Sequence, residues 1–277
     1  MSTSYPPPVA GLLELGEEAV TNEWLDYPAL GLGPEHVPEL IRMATDPALH
    51  DADEESPALW APTHAWRALG QLRAAEAVEP LLELAVSLGD ELFTDPELAV
   101  VFGVIGAAAI PPLARILADD SESHARHVLA ANGLDEIAAR DPSSRGEVVP
   151  LLMARLEKWD RNSEIVNAYL VDALTEMRVM EAAPLMEQAF AAGRVDVLMR
   201  GDWEDVQADL GLIEKRRGRG GGLRGSFQAM REAAFEDYLA PLPAPGPASR
   251  PGAPGAKAKK NKRKQQKESR KRNRRRK

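Results

Sequence analysis

A short motif recurs along this chain: a β-branched or small residue, then proline, then leucine, opening an apolar run. It reads Val37-Pro38-Glu39-Leu40, Val78-Glu79-Pro80-Leu81, Ile110-Pro111-Pro112-Leu113, Val149-Pro150-Leu151-Leu152 and Ala183-Pro184-Leu185. With Pro112 taken in the third copy, the prolines stand 42, 32, 38 and 34 residues apart. Self-similarity at this period marks stacked supersecondary units that bury their apolar faces against one another, not a single closed core.

Each motif suits the first turn of a helix. Proline is tolerated there because its missing N–H would have no intrahelical partner and its fixed φ matches the helix. The apolar residues that follow keep helical spacing: Val78, Leu81, Leu82, Ala85 and Val86 form one stripe, and Ile110, Leu113, Ile116 and Leu117 another. A second helical stretch precedes each motif. One runs from Thr63 or His64 to Leu72; Pro57 opens an earlier helix that Pro62 should end or kink. Asp95 is placed to cap the helix before the third motif, with Pro96 first and Glu97 in the first turn. Residues 123–139 precede the fourth motif, and Asn162 or Ser163 can cap a helix over 164–177 before the fifth. Period-two alternation of β-branched residues, the strand signal, is missing. The expected unit is helix, tight turn, helix, taken about five times.

The register can be checked on the residues. The run 68–81, Ala-Leu-Gly-Gln-Leu-Arg-Ala-Ala-Glu-Ala-Val-Glu-Pro-Leu, aligns with 173–185, Ala-Leu-Thr-Glu-Met-Arg-Val-Met-Glu-Ala-Ala-Pro-Leu, with one residue fewer in the second turn. Residues 101–113 give the third copy. On these residues the chain resembles the HEAT-like repeat family, in the short form also found in phycobilin lyases. Over roughly residues 33–195 it is similar to bacterial HEAT-like proteins without an assigned role. Its most specific element is Leu69-Gly70-Gln71-Leu72-Arg73 followed by Ala77-Val78-Glu79-Pro80-Leu81. The fourth copy is weak and the first lacks a clear preceding half. A tetratricopeptide reading starts at Trp66-Arg67-Ala68-Leu69-Gly70, but Arg73 stands where that signature needs tyrosine.

Past the repeats, residues 201–211 read as a closing helix: Asp202 as cap, Glu204 and Asp205 in the first turn, Gly211 as stop. Residues 214–240 form a Gly/Arg-rich link with an amphipathic helix from Ser226, its face set by Phe227, Met230, Ala234, Phe235 and Tyr238. Residues 241–256 are a Pro/Gly-rich linker, and 257–277 a polybasic tail expected to be disordered in isolation.

Composition narrows the function classes. Hydrophobic residues make up 44 % of the 277, with 5 % aromatic, so the core must rest on Leu, Ala, Val and Ile, as close-packed helices do. With no cysteine there is no disulfide, thiolate metal site or thiol catalysis. The first 20 residues carry no secretory pattern, and the uncharged stretch 98–114 is broken by glycines, prolines and a repeat boundary, so neither export nor a membrane span is expected. The net charge of −9 hides a division. Residues 241–277 hold 15 of the 34 Lys and Arg and one of the 43 acids, Glu268, for a net +14; residues 1–240 hold 19 basic and 42 acidic residues, for a net −23.

Candidate chemistry is sparse. His124 and His127 at i and i+3, near Asp119, Asp120 and Glu122, make a weak metal pattern against an ordinary polar helix end. His36, His50 and His64 are isolated and read as surface or capping residues. Acidic runs at Asp51, Asp53, Glu54 and Glu55, at Asp90 and Glu91, and at Asp119, Asp120 and Glu122 read as solvated loops. The glycines at 218–222 lack the lysine and the preceding strand of a phosphate loop. Arg217-Gly218-Arg219-Gly220-Gly221 is a minimal arginine–glycine segment or simply a flexible link.

The polyanion-contact candidates are Lys259, Lys260, Lys262, Arg263, Lys264, Lys267, Arg270, Lys271, Arg272, Arg274, Arg275, Arg276 and Lys277. Such density suits phosphate backbones, and with no interleaved aromatic it indicates no base selectivity. A tail folded back on the acidic body, or one that merely solubilises, reads from the same charges. The expectation is an all-α solenoid of about five HEAT-like helix pairs over residues 1–213: a non-enzymatic, cytoplasmic binding or scaffold protein without cofactor or metal. Its solenoid would hold a protein partner, and its tail nucleic acid, a ribonucleoprotein or another polyanion. The alternative is lyase-like or chaperone handling of a bilin chromophore, by fold analogy only.

Overall fold

Five helices begin in the same way. A single 3-10 turn comes first, at Pro34–His36, Ala75–Ala77, Ala107–Ala109, Pro142–Ser144 and Met180–Ala182. An α-helix follows at once: α1 (Val37–Ala44), α4 (Val78–Leu88), α6 (Ile110–Ala118), α8 (Arg145–Leu156) and α10 (Ala183–Ala191). The last residue of the turn is small and buried in four copies, Ala77, Ala109, Ser144 and Ala182, which lets the chain reverse against the core. The computed structural model describes residues 4–20, 23–88 and 97–214, with the side chains of 86–88 excepted. The chain divides after Leu239, and the segment 240–277 lies wholly outside the described residues.

Between these second helices stand the first helices, α3 (Ala61–Gln71), α5 (Glu97–Ile105), α7 (His124–Arg140) and α9 (Glu164–Glu176). Short α2 (Pro47–His50), α11 (Val197–Arg200) and α12 (Trp203–Leu210) complete an all-α set with no strand among the described residues. The first helices pack in chain order, α3 on α1 and α5, α5 on α7, α7 on α9. The second helices cover them: α6 lies on α7 and α8, and α8 on α9. Alanines and glycines make this approach close. A Cβ on Gly103 of α5 would sit 2.7 Å from Glu136 Cβ of α7, and one on Gly133 of α7 would sit 3.0 Å from Leu113 Cδ1. Leu40, Leu69, Leu81, Leu113, Leu134 and Leu170 are fully enclosed, each contributing about 1.5–3 kcal/mol.

The expected stripes are buried at Val78, Leu81, Leu82 and Ala85 and at Ile110, Leu113, Ile116 and Leu117; the side chain of Val86 lies outside the described residues. Ser163 and Asp202 cap as read, accepting from the backbone N–H of Val166 and Asp205, and Ser123 caps α7 in the same way through the N–H of Arg126. Gly211 stops α12 in the left-handed region at φ 80°. Asp95, Pro96 and the Asp90–Glu91 run lie outside the described residues.

Three local expectations need correction. Pro150 does not open a helix: α8 starts at Arg145, so Pro150 lies inside it, and Val148 takes the buried place of Leu81 and Leu113. The turns after α3 and α9 are equal in length, since Arg73 and Arg178 both have φ 52° and both stand five residues before the next helix; only the proline shifts, to the third place in α4 and the second in α10. Pro62 does not break a helix. The segment Pro57–Trp60 is a 3-10 turn, and Pro62 sits in the first turn of α3, where no N–H is needed. Among the described residues the first unit has no α-helix before α1, only 3-10 turns.

The uncharged stretch 98–114 is split between α5 and α6, which meet at 112°. No single helix among the described residues is long and apolar enough to cross a membrane.

Candidate functional site

Two kinds of connection join these helices, and they differ in charge. Within a pair, residues 72–77, 106–109, 141–144 and 177–182 hold Arg73, Glu76, Asp141, Arg178 and Glu181. Between pairs, residues 45–60 and 119–123 hold Asp46, Asp51, Asp53, Glu54, Glu55, Asp119, Asp120 and Glu122, and no Lys or Arg. The later connections, 157–163 and 192–202, are mixed.

At α1, α6 and α8 the loops between pairs are held by side chains that take the last carbonyls of the second helix. At α1, Trp66 Nε1 donates to the Ala44 carbonyl at 3.1 Å and His50 Nε2 stands 3.0 Å from it. At α6, Arg155 Nη1 donates to the Leu117 carbonyl at 3.2 Å and Lys158 Nζ to that of Ala118 at 3.4 Å. At α8, Asn162 Nδ2 donates to the Arg155 carbonyl at 3.0 Å. A cation or N–H donor suits a helix C-terminus, where carbonyls lack partners and the dipole is negative.

Neighbouring loops are thereby tied together. Arg155 Nη1 and Lys158 Nζ reach Asp120 Oδ1 at 2.8 and 2.6 Å, with Arg161 at 4.0 Å. Asn167 Nδ2 donates to the carbonyls of Trp159 and Arg194 at 2.9 and 2.7 Å, and Arg194 Nη2 donates to those of Asp160 and Asn162. The result is a row of loops with fixed backbones. The Ser121 hydroxyl and N–H hold Asp119 below the usual carboxylate range, and Lys158, with Arg155, does so for Asp120.

The weak metal pattern is accounted for by the same bonds. His127 is buried, with Nε2 2.9 Å from the Asp119 carbonyl and Nδ1 3.3 Å from Arg155 Nη2. Arginine can only donate, so Nδ1 accepts and Nε2 carries the proton. Burial, reinforced by Arg155, lowers the His127 pKa and keeps the ring neutral. Among the described residues no group of three or more His, Asp or Glu could hold a metal ion.

His64 is not the surface residue its isolation suggested. It lies in the core of α3, Nδ1 2.7 Å from Tyr27 Oη and Nε2 3.1 Å from the Gly16 carbonyl. The carbonyl requires a proton on Nε2, so the Tyr27 hydroxyl donates to Nδ1. Burial lowers the His64 pKa and raises that of Tyr27. Gln71 accepts from the Tyr27 N–H and donates to the Leu25 carbonyl, and Arg67 makes a bidentate pair with Glu97 at 2.7 and 3.0 Å beneath Trp24. These bonds fasten the N-terminal segment and α5 to α3. His50 is half-buried and stacks on Trp66, and His36 Nδ1 accepts from the Gly33 N–H, as a capping residue.

All thirteen polyanion-contact candidates, Lys259 to Lys277, lie outside the described residues, as do the Gly/Arg-rich link, the helix expected from Ser226 and the Pro/Gly-rich linker. Comparison of the chain with protein-family models, curated proteins and solved structures finds no match.

Proposed function

We propose that this chain is a non-enzymatic scaffold. Its body is a HEAT-like α-solenoid that holds a protein partner along the acidic loops between helix pairs, and its C-terminal segment attaches the assembly to nucleic acid or a ribonucleoprotein. The chain-order packing of α3, α5, α7 and α9 supports the solenoid reading, because stacked repeats touch mainly their neighbours. The observation that carries the functional reading is the charge division, −23 over residues 1–240 against +14 over residues 241–277. A field of one sign repels nucleic acid from the body and favours a basic partner there, while the tail supplies the cations that displace counterions from phosphates.

The test compares the full chain with a variant in which the thirteen Lys and Arg from 259 to 277 are Gln, using a mixed-sequence single-stranded RNA. The full chain should bind, with affinity falling steeply as salt rises, and the variant should not. Equal binding by the two overturns the reading. The body's role is tested by capture from cells with nuclease treatment. A partner retained by the full chain should be lost when Asp51, Asp53, Glu54 and Glu55 are Lys.

A further inference from the structure

Of the thirteen Lys and Arg among the described residues, ten reach a carboxylate, from Arg42 on Glu39 to Arg200 on Asp172. The three that reach none there are Arg73, Arg145 and Arg178, all exposed. Each of the three also stands where the backbone disfavours it. Arg73 and Arg178 hold φ 52°, a conformation that suits glycine. Arg145 is the first residue of α8, at the positive end of the helix dipole, where an acid is favoured. Local rules broken in this way, with no carboxylate to offset the cost, mark functional positions.

The fold brings the three arginines to one edge, that of the turns within helix pairs. A Cβ on Gly106, in the α5–α6 turn, would lie 4.0 Å from Arg73 Nη1, so the first two turns are neighbours. A Cβ on Gly103, near the end of α5, would lie 3.2 Å from Arg140 Nε at the end of α7, which puts the turn before Arg145 next in the row. Arg155, at the end of α8, bonds His127 near the start of α7 and, through its carbonyl, Asn162 ahead of α9. The starts of α7 and α9 are therefore together, the two helices run the same way, and Arg178, past the end of α9, lies on the edge of Arg145. The acidic connections 45–60 and 119–123 lie at the opposite ends of the helices.

With stacked helices about 10 Å apart, Arg145 and Arg178 are separated by about 10 Å and Arg73 and Arg145 by about 20 Å, too far to close on one small anion. An extended chain advances about 3.3 Å per residue, so acids about three and six residues apart match these steps. Glu76, Asp141 and Glu181 lie in the same turns. They repel a backbone charged at every unit, but leave room for a peptide whose acids face only the arginines. The planar guanidinium suits a carboxylate, which it can bind through two N–H groups.

We propose that the edge of Arg73, Arg145 and Arg178 is a further docking surface, which takes an extended acidic segment of a partner protein. The surface is independent of the acidic loops on the opposite edge and of what the tail binds.

The test uses the full-length chain with its Lys and Arg from 259 to 277 as Gln, so that the tail does not take the probe. The probe is a peptide of about 20 residues, long enough to span the row, with Glu at every third position and Gly and Ser between. R73G/R178G should bind it at least about fivefold more weakly, and R73G/R145Q/R178G at least about tenfold, while Tm stays level or rises because the backbone is relieved. R73Q/R178Q, which removes the charge and keeps the strained backbone, should lose as much affinity as R73G/R178G. Binding unchanged by the triple substitution, binding kept in R73Q/R178Q, or no binding of the peptide at all overturns the proposal. So does tighter binding of a single-stranded RNA of equal charge through the same arginines, which would make the ligand a polyphosphate.

Discussion

Arg73 and Arg178 hold the same backbone conformation, each at φ 52°, at equivalent places two residues past the ends of α3 and α9. Each closes its helix with the same pair of bonds. Arg73 N donates to the Gly70 carbonyl at 2.9 Å and Ala74 N to that of Leu69 at 3.0 Å; Arg178 N donates to Thr175 at 2.8 Å and Val179 N to Leu174 at 2.9 Å. This closure usually takes glycine, because an L side chain is strained in the left-handed region. A cation close to a helix C-terminus is favoured by the dipole, which offsets part of the strain. Replacing either arginine with glycine should therefore raise stability, by about 0.5–1 kcal/mol. A denaturant midpoint that falls in both R73G and R178G would show that the side chains contribute more than the strain costs.

Gly103 and Gly146 should respond with opposite signs to the same change. A Cβ at Gly103 meets Glu136 Cβ at 2.7 Å and its backbone carbon at 3.1 Å, so α5 and α7 must part. At Gly146, in the first turn of α8, nothing lies within 4 Å. G103A should destabilise by about 1–3 kcal/mol, and G146A should stabilise by about 0.5–1 kcal/mol. Chemical denaturation of the two variants beside the parent checks both signs.

Pro150 is the sixth residue of α8 and exposed, so its ring replaces the N–H that would bond to the Gly146 carbonyl. Restoring that donor with P150A should add stability, on the order of 1 kcal/mol and at most about 3. An unchanged or lowered midpoint would mean that the proline ring packs usefully where it stands.

The same proline shows where sequence reasoning was reliable. In four copies the proline and the helix start coincide within two residues, because a buried Val37, Val78, Ile110 or Ala182 begins an apolar stripe there. In the fourth copy the proline follows a helix already under way, and the reversing turn is set instead by Asp141, which accepts from the Ser143 N–H, and by Pro142. Composition and spacing marked that turn no more strongly than any other. The ties between loops were legible only as scattered polar residues. Arg155 and Asp120 stand 35 residues apart, about one repeat, yet nothing local says that the arginine is buried. His64 reads as a surface residue until the N-terminal segment, which has no helical signal of its own, is laid over α3 by Tyr27. The acidic runs at 51–55 and 119–122, by contrast, lie between helices, where their composition put them.

Acid should loosen the body between about pH 7 and 5. His50, His64 and His127 all have pKa values lowered chiefly by burial. A histidine with a depressed folded pKa contributes full stability above its unfolded pKa of about 6.5, and that contribution is lost as pH falls toward the folded value, because only the unfolded chain takes the proton. The slope has a ceiling of about 1.4 kcal/mol per pH unit for each histidine. Tm measured across this window should fall with pH, and His127→Gln should flatten the curve, since an amide offers both a donor toward Asp119 and an acceptor toward Arg155. Asp119, Asp120 and Asp141, whose pKa values are depressed, add their own loss at lower pH, beneath the ordinary carboxylate range. A curve that stays flat down to pH 5 would place the histidine protons in solvent.

Arg200 is 1 % exposed, with Nε 3.2 Å from Asp172 Oδ1 on α9 and Nη1 3.4 Å from Asp209 Oδ2 on α12. It fixes both closing helices to α9. Removing the cation leaves two carboxylates turned toward the vacated space, and disrupting a buried pair in this way costs about 3–5 kcal/mol. The loss should be local, because α11 and α12 are held by α9 and α10 while α5 and α7 pack elsewhere. In R200A, amide exchange over residues 197–210 should quicken at least about a hundredfold, with protection in α5 and α7 unchanged. Asp209→Asn should act in the same direction but less, since it removes one charge and keeps a hydrogen-bond acceptor. Uniformly faster exchange in every helix would show that the C-terminal end and the centre unfold as one unit.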